Sequence, residues 1–226
     1  MLKFQILFQD QNIAVIQKPA SLLSVPYSGF RGKTALGLLE EGMRKRGTYS
    51  AKHRPFAVHR LDRETSGVMM FALNERAQKT IMDGWQEIVT ERLYRAVAEN
   101  PRGQKNSLPE EGSIESPLAY NAYNQAFVPK GGGKFKTIPA RTNYRIIKRG
   151  KFFTLFELSL DTGRKNQIRA HLASLGYPLA GDKNYRAKTD RFGRLALHAR
   201  TLEFIHPWTN EKARFEIPEP ADWEKI

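Results

Sequence analysis

"HRLDRETSG", residues 59–67, sets a histidine, two arginines, an aspartate and a glutamate between two apolar runs, "PFAV" (55–58) and "VMMFAL" (68–73). Short apolar runs with such flanks read as buried strands. The charged stretch is then a connection held by scaffold on both sides, the kind of loop that carries function. Asp62 lies between Arg60 and Arg63, and neighbouring cations favour an ionised carboxylate. A turn aspartate or a surface ion pair would use the same residues, and "TSG" suits a plain turn.

Working outward, "KFQILF" (3–8), a turn at "QDQN" and "IAVIQ" (13–17) read as a hairpin that ends at Lys18-Pro19. "TALGLLEEGMRKRG" (34–47) reads as a helix capped by Thr34, with Leu36, Leu39 and Met43 on its apolar face. Beyond the charged loop, Asn74 is placed to cap one helix over "ERAQKTIMDGWQEIV" (75–89), with Ala77, Ile81, Trp85 and Ile88 as its buried stripe. "RLYRAVAE" (92–99) follows as a strand. "NPRGQKNSLPEEGS" (100–113) and "VPKGGGKFKT" (128–137) read as surface loops. The glycine run with Lys134 has neither the earlier glycine nor the following Ser or Thr of a phosphate-binding P-loop.

"ARTNYRIIKRGKFFTLFELSLDT" (140–162) reads as two strands around a Lys-Arg-Gly-Lys turn. "GRKNQIRAHLASLG" (163–176) reads as a helix with Ile168, Leu172 and Leu175 on one face and Gly176 as its stop. Two strands, 195–205 and 213–217, close the chain. No repeat occurs, and strands and helices do not alternate. The pattern favours a mixed, mostly antiparallel α+β fold, a single domain over residues 1–226.

The chain carries 37 basic against 23 acidic side chains, a formal charge of +14 over 226 residues. The excess is local: residues 141–200 hold 14 Lys or Arg against 4 Asp or Glu, and residues 201–226 hold 3 against 6. A polyanionic partner follows from such a face. With no cysteine, disulfides, thiolate catalysis and the common zinc sites are excluded, and the five histidines lack metal-binding spacing. No metal and no cofactor are expected. There is no apolar run long enough for a membrane span and no signal-peptide core, so a soluble, cytoplasmic protein that avoids membranes is expected.

A second cluster lies in "DTGRKNQIRAHLASLGYPLAGDKNY" (161–185). Arg164, Lys165 and Arg169 stand near a helix start, where cations oppose the helix dipole. That conflict points to an anionic partner.

Together, "HRLDRETSG" and "TGRKNQIRAHLASLGYPLAGDKNY" resemble the RluA-type family of pseudouridine synthases, whose signature is HRLDxxTSG followed by TGRxHQIRxHLxxxGxPxxGDxxY. "QKPASLLSVP", "ERLYRAV" and "LALHARTLEFIHPWT" are similar to further family segments, so the likeness runs over about residues 5–218. The chain departs from the pattern at Ser21, usually Gly, at Arg92, usually Lys, at Lys165, commonly Thr, and at Asn166, usually His. With the catalytic region starting at once, a short member without the N-terminal RNA-binding S4 domain of many relatives is expected.

The resemblance implies a pseudouridine synthase fold, a mixed, mostly antiparallel sheet crossed by an active-site cleft. It implies isomerisation of uridine to pseudouridine in structured RNA, without a cofactor. Asp62 would be the essential carboxylate, as nucleophile or as base toward a ribose proton. Arg169 would be the cation that offsets its desolvation. Tyr94 would stack on uracil and assist removal of the C5 proton. Arg60 would help extrude the uridine, and Arg164, Lys165, Asn166 and Gln167 would bind substrate. The partner would be a stem-loop in ribosomal or transfer RNA, engaged by a monomer. The alternative is a non-catalytic RNA-binding protein or RNA chaperone on the same scaffold.

Overall fold

Residues 3–101, 108–131 and 134–226 are described in the computed structural model. The chain starts with β1 (Gln5–Gln9) and β2 (Ile13–Lys18), an antiparallel hairpin. Its turn is organised by Asp10, whose Oδ1 accepts the backbone N–H of Asn12 (2.7 Å) and of Ile13 (2.7 Å). Helix α1 (Ala35–Lys45) follows, then β3 (Phe56–Ala57), β4 (Ser66–Ala72), α2 (Glu75–Asp83), α3 (Trp85–Ile88) and β5 (Val89–Glu99). After β5 come β6 (Glu111–Glu115), β7 (Ala119–Tyr120), β8 (Ala126–Phe127), β9 (Arg141–Arg149) and β10 (Phe153–Leu160). Helix α4 (Gln167–Ser174), β11 (Leu197–Ile205) and β12 (Lys212–Glu216) complete the order. The fold is mixed α+β, with mostly antiparallel pairing, as the sequence pattern predicts.

The chain divides into two compact units, Met1–Arg92 with Ala199–Ile217, and Leu93–His198 with Pro218–Ile226. Two of the three boundaries fall inside β5 and β11, and the third follows β12. In the first unit the strand order is β1-β2-β4-β11, with β3 on β4 and β12 on β11. Strand β4 is buried along its whole length. Val68 and Met70 from it join Ile13, Val15, Leu202 and Phe204 in one core, which α2 covers with Ala77 and Ile81. Both predicted caps form: Thr34 Oγ1 accepts from the Gly37 N–H (3.0 Å) and Asn74 Oδ1 from the Ala77 N–H (2.8 Å).

In the second unit β5-β10-β9-β6 form a continuous antiparallel order, and β7 pairs β8 as a separate ribbon. Val97, Leu155, Ala180, Ala196 and Trp223 make one core cluster of this unit. Leu118, Ala126, Ala140 and Ala170 make another, which fastens the ribbon to α4.

Three local expectations change. The helix over 75–89 breaks at Gly84, whose backbone leaves the helical region, so Trp85 and Ile88 lie on a separate short turn and Val89 is already strand. Leu175 is 39% exposed, because α4 ends at Ser174 and the chain turns away at Gly176 (φ +85°). In the stretch 100–113, residues from Glu111 onward belong to β6, and residues 102–107 lie outside the described part, as do two glycines of the glycine run. Among the described residues no helix is long and apolar enough to cross a membrane.

Candidate active site

Asp62 stands between two residues whose backbones are each gripped from outside the loop. On one side Ser24, itself buried, donates from Oγ to the Leu61 carbonyl (2.7 Å) and accepts the Leu61 N–H (3.1 Å). On the other side the Lys18 ammonium, 0% exposed, donates to the carbonyls of Pro19 (3.0 Å), Leu22 (2.6 Å) and Arg63 (3.1 Å). An ammonium has three protons, and all three are engaged. The segment "KPASLLS" thus holds the segment "LDR" by its main chain, and Asp62 closes the turn by accepting the Thr65 N–H at its carbonyl (3.1 Å). The Asp62 side chain is partly buried, while Arg60 and Arg63 are exposed.

Both ends of the loop are fixed as well. His59 Nε2 accepts the backbone N–H of Met70 in β4 (2.9 Å), which requires a neutral imidazole. Burial, helped by the Arg92 charge, pushes His59 down to about 3. Its ring lies 5.0 Å from that of Trp85, and the Arg92 guanidinium lies 5.7 Å from the Trp85 ring. At the other end Gly67 has φ +125°, and a Cβ there would sit 2.0 Å from the Ala199 carbonyl oxygen. Only glycine fits this crossing of backbones.

Ser21, where glycine is usual, adopts φ +64°. Its Oγ donates to Glu64 Oε2 (2.9 Å), a bond into the Asp62 loop that glycine could not make.

The second unit holds Tyr94 and the cluster 164–169. Gln167 is buried, and all four hydrogen-bonding positions of its amide are used. Nε2 donates to the Arg141 carbonyl (2.9 Å) and to Thr142 Oγ1 (2.9 Å), and Oε1 accepts from Thr162 Oγ1 (2.7 Å) and the Arg164 N–H (3.0 Å). Expected to bind substrate, Gln167 instead spends its side chain on the shape of the loop. His171 continues the network, with Nδ1 against Thr142 Oγ1 (2.9 Å) and Nε2 against the Ser116 carbonyl (2.9 Å). Burial lowers its pKa. Asn166 has φ +54°, a left-handed conformation that asparagine tolerates well, and Arg164 and Lys165 are exposed on the same turn.

Arg169 is buried and forms a two-pronged pair with Asp182, Nε to Oδ2 at 2.7 Å and Nη2 to Oδ1 at 2.8 Å. Its guanidinium also lies 5.1 Å from the Tyr185 ring, whose hydroxyl donates to the Ala126 carbonyl (2.6 Å). Expected as the counter-charge of Asp62, Arg169 has a carboxylate of its own unit as partner. Tyr94, opposite Leu158 in the β5–β10 register, is 9% exposed.

The site-directed reading of the sequence overlooked Lys18, Ser24 and Asp182. Lys18-Pro19 and Gly181-Asp182 lie inside the family-like motifs, yet a lysine at a strand end and an aspartate in a turn have the sequence pattern of surface residues.

Residues 12–174 match the sequence model of the RNA pseudouridylate synthase family. The chain is 33% identical to the uncharacterized RNA pseudouridine synthase YlyB of Bacillus subtilis, over 98% of this chain and 71% of that one. It is 35% identical to ribosomal large subunit pseudouridine synthase D of Neisseria meningitidis, over 96% of this chain and 58% of that one. Among solved structures, human RNA pseudouridylate synthase domain containing 4 superposes with a TM-score of 0.73 at 22% identity, over 97% of this chain and 90% of that one.

Proposed function

Because the chain belongs to the RNA pseudouridylate synthase family, and is an RNA pseudouridine synthase of the RluA type, we propose that Asp62 is the carboxylate that starts its isomerisation. In the reaction the bond from ribose C1′ to uracil N1 breaks and a bond from C1′ to C5 forms. N1 takes up a proton and C5 releases one, so the balance closes without a cofactor. The observation that carries the assignment is the two-sided grip on Leu61 and Arg63, which fixes the backbone of the carboxylate between them in a loop whose two arginines are exposed. Preorganisation of this kind is what a reacting group needs, because a displaced group loses the alignment that makes the step fast. Asp62 acts as nucleophile toward the nucleoside or as base toward a ribose proton.

Tyr94 is assigned the uracil-facing role and the removal of the C5 proton, and Arg169 the support of negative charge. Exposed Arg60, Arg164 and Lys165 are assigned to the RNA backbone, and Asn166 to substrate contact at its turn. Such phosphate contacts position RNA without reading sequence. The substrate is structured RNA with an unpaired uridine in a stem-loop. Relatives named ribosomal large subunit pseudouridine synthase D make ribosomal RNA the first target to test, with transfer RNA second. The acting species is a cytoplasmic monomer.

Replacing Asp62 by Asn is expected to reduce turnover below a few per cent of the parent, while RNA affinity stays within severalfold. The measurement is nucleotide-resolution pseudouridine mapping with a parallel filter-binding titration. Retained turnover would remove Asp62 from the chemistry. Loss of binding together with turnover would make it a structural residue.

A further inference from the structure

The β7–β8 ribbon carries a feature that the fold does not use. Tyr123 at its tip is 90% exposed, so it contributes almost nothing to the core. The tip beneath it is nevertheless rigidly built. Asn121 Oδ1 accepts the N–H groups of Tyr123 (3.0 Å) and Gln125 (3.0 Å), and the Asn121 N–H donates to the Gln125 carbonyl (3.0 Å). Asn124 completes the turn with φ +55°.

Following the ribbon, Phe135 is 50% exposed and meets Phe127 edge-on at 5.3 Å. Residues 116–140, which contain all of this, hold Lys130, Lys134 and Lys136 and no acidic residue. The opposite side of the ribbon is anchored within its own unit, to α4 and to the turn at residues 184–185. Ala126 packs with Ala170 of α4, Gln125 Nε2 donates to the Asn184 carbonyl (2.8 Å), and Tyr185, which donates to Ala126, carries the Arg169 guanidinium on its ring.

An exposed aromatic on a hydrogen-bonded tip, in a segment that carries lysines and no acidic residue, has the chemistry of a stacking platform for an unpaired base, with lysines for the flanking phosphates. We propose that Tyr123, with Phe135, Lys130, Lys134 and Lys136, forms a second RNA contact that stacks an unpaired nucleotide of the substrate RNA. This rests on the reading of the chain as an enzyme acting on looped RNA. It assigns specificity to a stretch that no chemical step requires.

The test is steady-state pseudouridylation of an RNA stem-loop, with fluorescence titration of an oligonucleotide carrying 2-aminopurine at an unpaired position. Tyr123→Ala is expected to raise KM about tenfold with kcat unchanged, the scale of one lost base stack. Tyr123→Phe, which keeps the ring, should behave as the parent. Phe152→Ala removes another exposed aromatic (64%) beside a lysine, on the β9–β10 turn, and should change nothing. The parent should quench the 2-aminopurine and Tyr123→Ala should not.

Equal KM values for Tyr123→Ala and the parent would overturn the proposal. So would a Tyr123→Ala effect confined to a concentration-dependent dimer in sedimentation, which would make the patch a contact between copies. If the parent isomerises no RNA while Tyr123-dependent quenching persists, the stacking site stands and the catalytic reading fails.

Discussion

The two charged loops are secured in different ways. In the first unit the residues beside Asp62 are held by their main chain: Ser24 takes both backbone groups of Leu61, Lys18 takes the carbonyl of Arg63, and the fixing residues lie in a separate segment. In the second unit side chains hold side chains as well, Asp182 on Arg169 and Thr142 on both Gln167 and His171, beside the bonds of Gln167 and His171 to main chain. A main-chain grip sets where a residue sits and leaves its side chain for chemistry. A side-chain grip fixes the direction of a charge and leaves the opposite charge buried with it.

The contrast predicts unequal sensitivity to truncation. The largest effect is expected from Asp182→Ala, which leaves a buried guanidinium without its carboxylate and costs about 3–5 kcal/mol. Urea unfolding checks the size, and hydrogen exchange checks the place: amides of 164–172 should lose protection while those of 59–70 keep theirs. Loss of protection in both stretches would mean the two grips are one.

Ser24→Ala should cost about 1–3 kcal/mol, since both Leu61 backbone groups lose their partner. Turnover should fall by more than RNA affinity does, because the main-chain position of the neighbouring Asp62 is what loosens. An unchanged kcat would show that Lys18 alone suffices.

Acid should weaken the first loop more than the second. His59 is held neutral at about 3, below the ordinary 6.5, so the unfolded chain binds the proton first and stability falls as pH drops from 6.5 toward 3. A loss of roughly 1–2 kcal/mol by pH 5 is expected from this partly buried group. His171 shifts in the same direction. Of His59→Gln and His171→Gln, the first should flatten the pH dependence of the urea midpoint more, and the reverse order would refute the ranking of the two loops.

The smallest change is expected for Ser21→Gly. Relief of the left-handed backbone and loss of the Glu64 bond offset each other to within about 1 kcal/mol. A larger loss would show that the serine secures the Asp62 loop.

Much of this was written in local patterns. Thr34 and Asn74 form the caps their types predict, the alternation around Asp10 forms its hairpin, and the two long motifs carry the family through residue types at fixed spacing. Such features depend on near neighbours in the chain, which one sequence displays. The helix at 75–89 misled because Gly84 sits within a good apolar stripe, and propensity does not say that the next turn must become strand. Tyr94 stayed ambiguous, since a strand tyrosine alternating with alanines has the same pattern whether it meets a core or a base.

The sequence by itself determined the family, and with it the class of chemistry and the RNA partner, and it singled out Asp62 as the carboxylate to test, because these follow from which groups are present and in what order. Only the tertiary structure decided what holds those groups. Lys18 is 45 residues from Arg63 in the chain, Ser24 is 37 from Leu61, and Asp182 is 13 from Arg169. Burial turns Lys18 and Asp182 from ordinary surface charges into fixed supports, since a charge removed from water persists only where partners meet it, and those partners are brought to it by the fold.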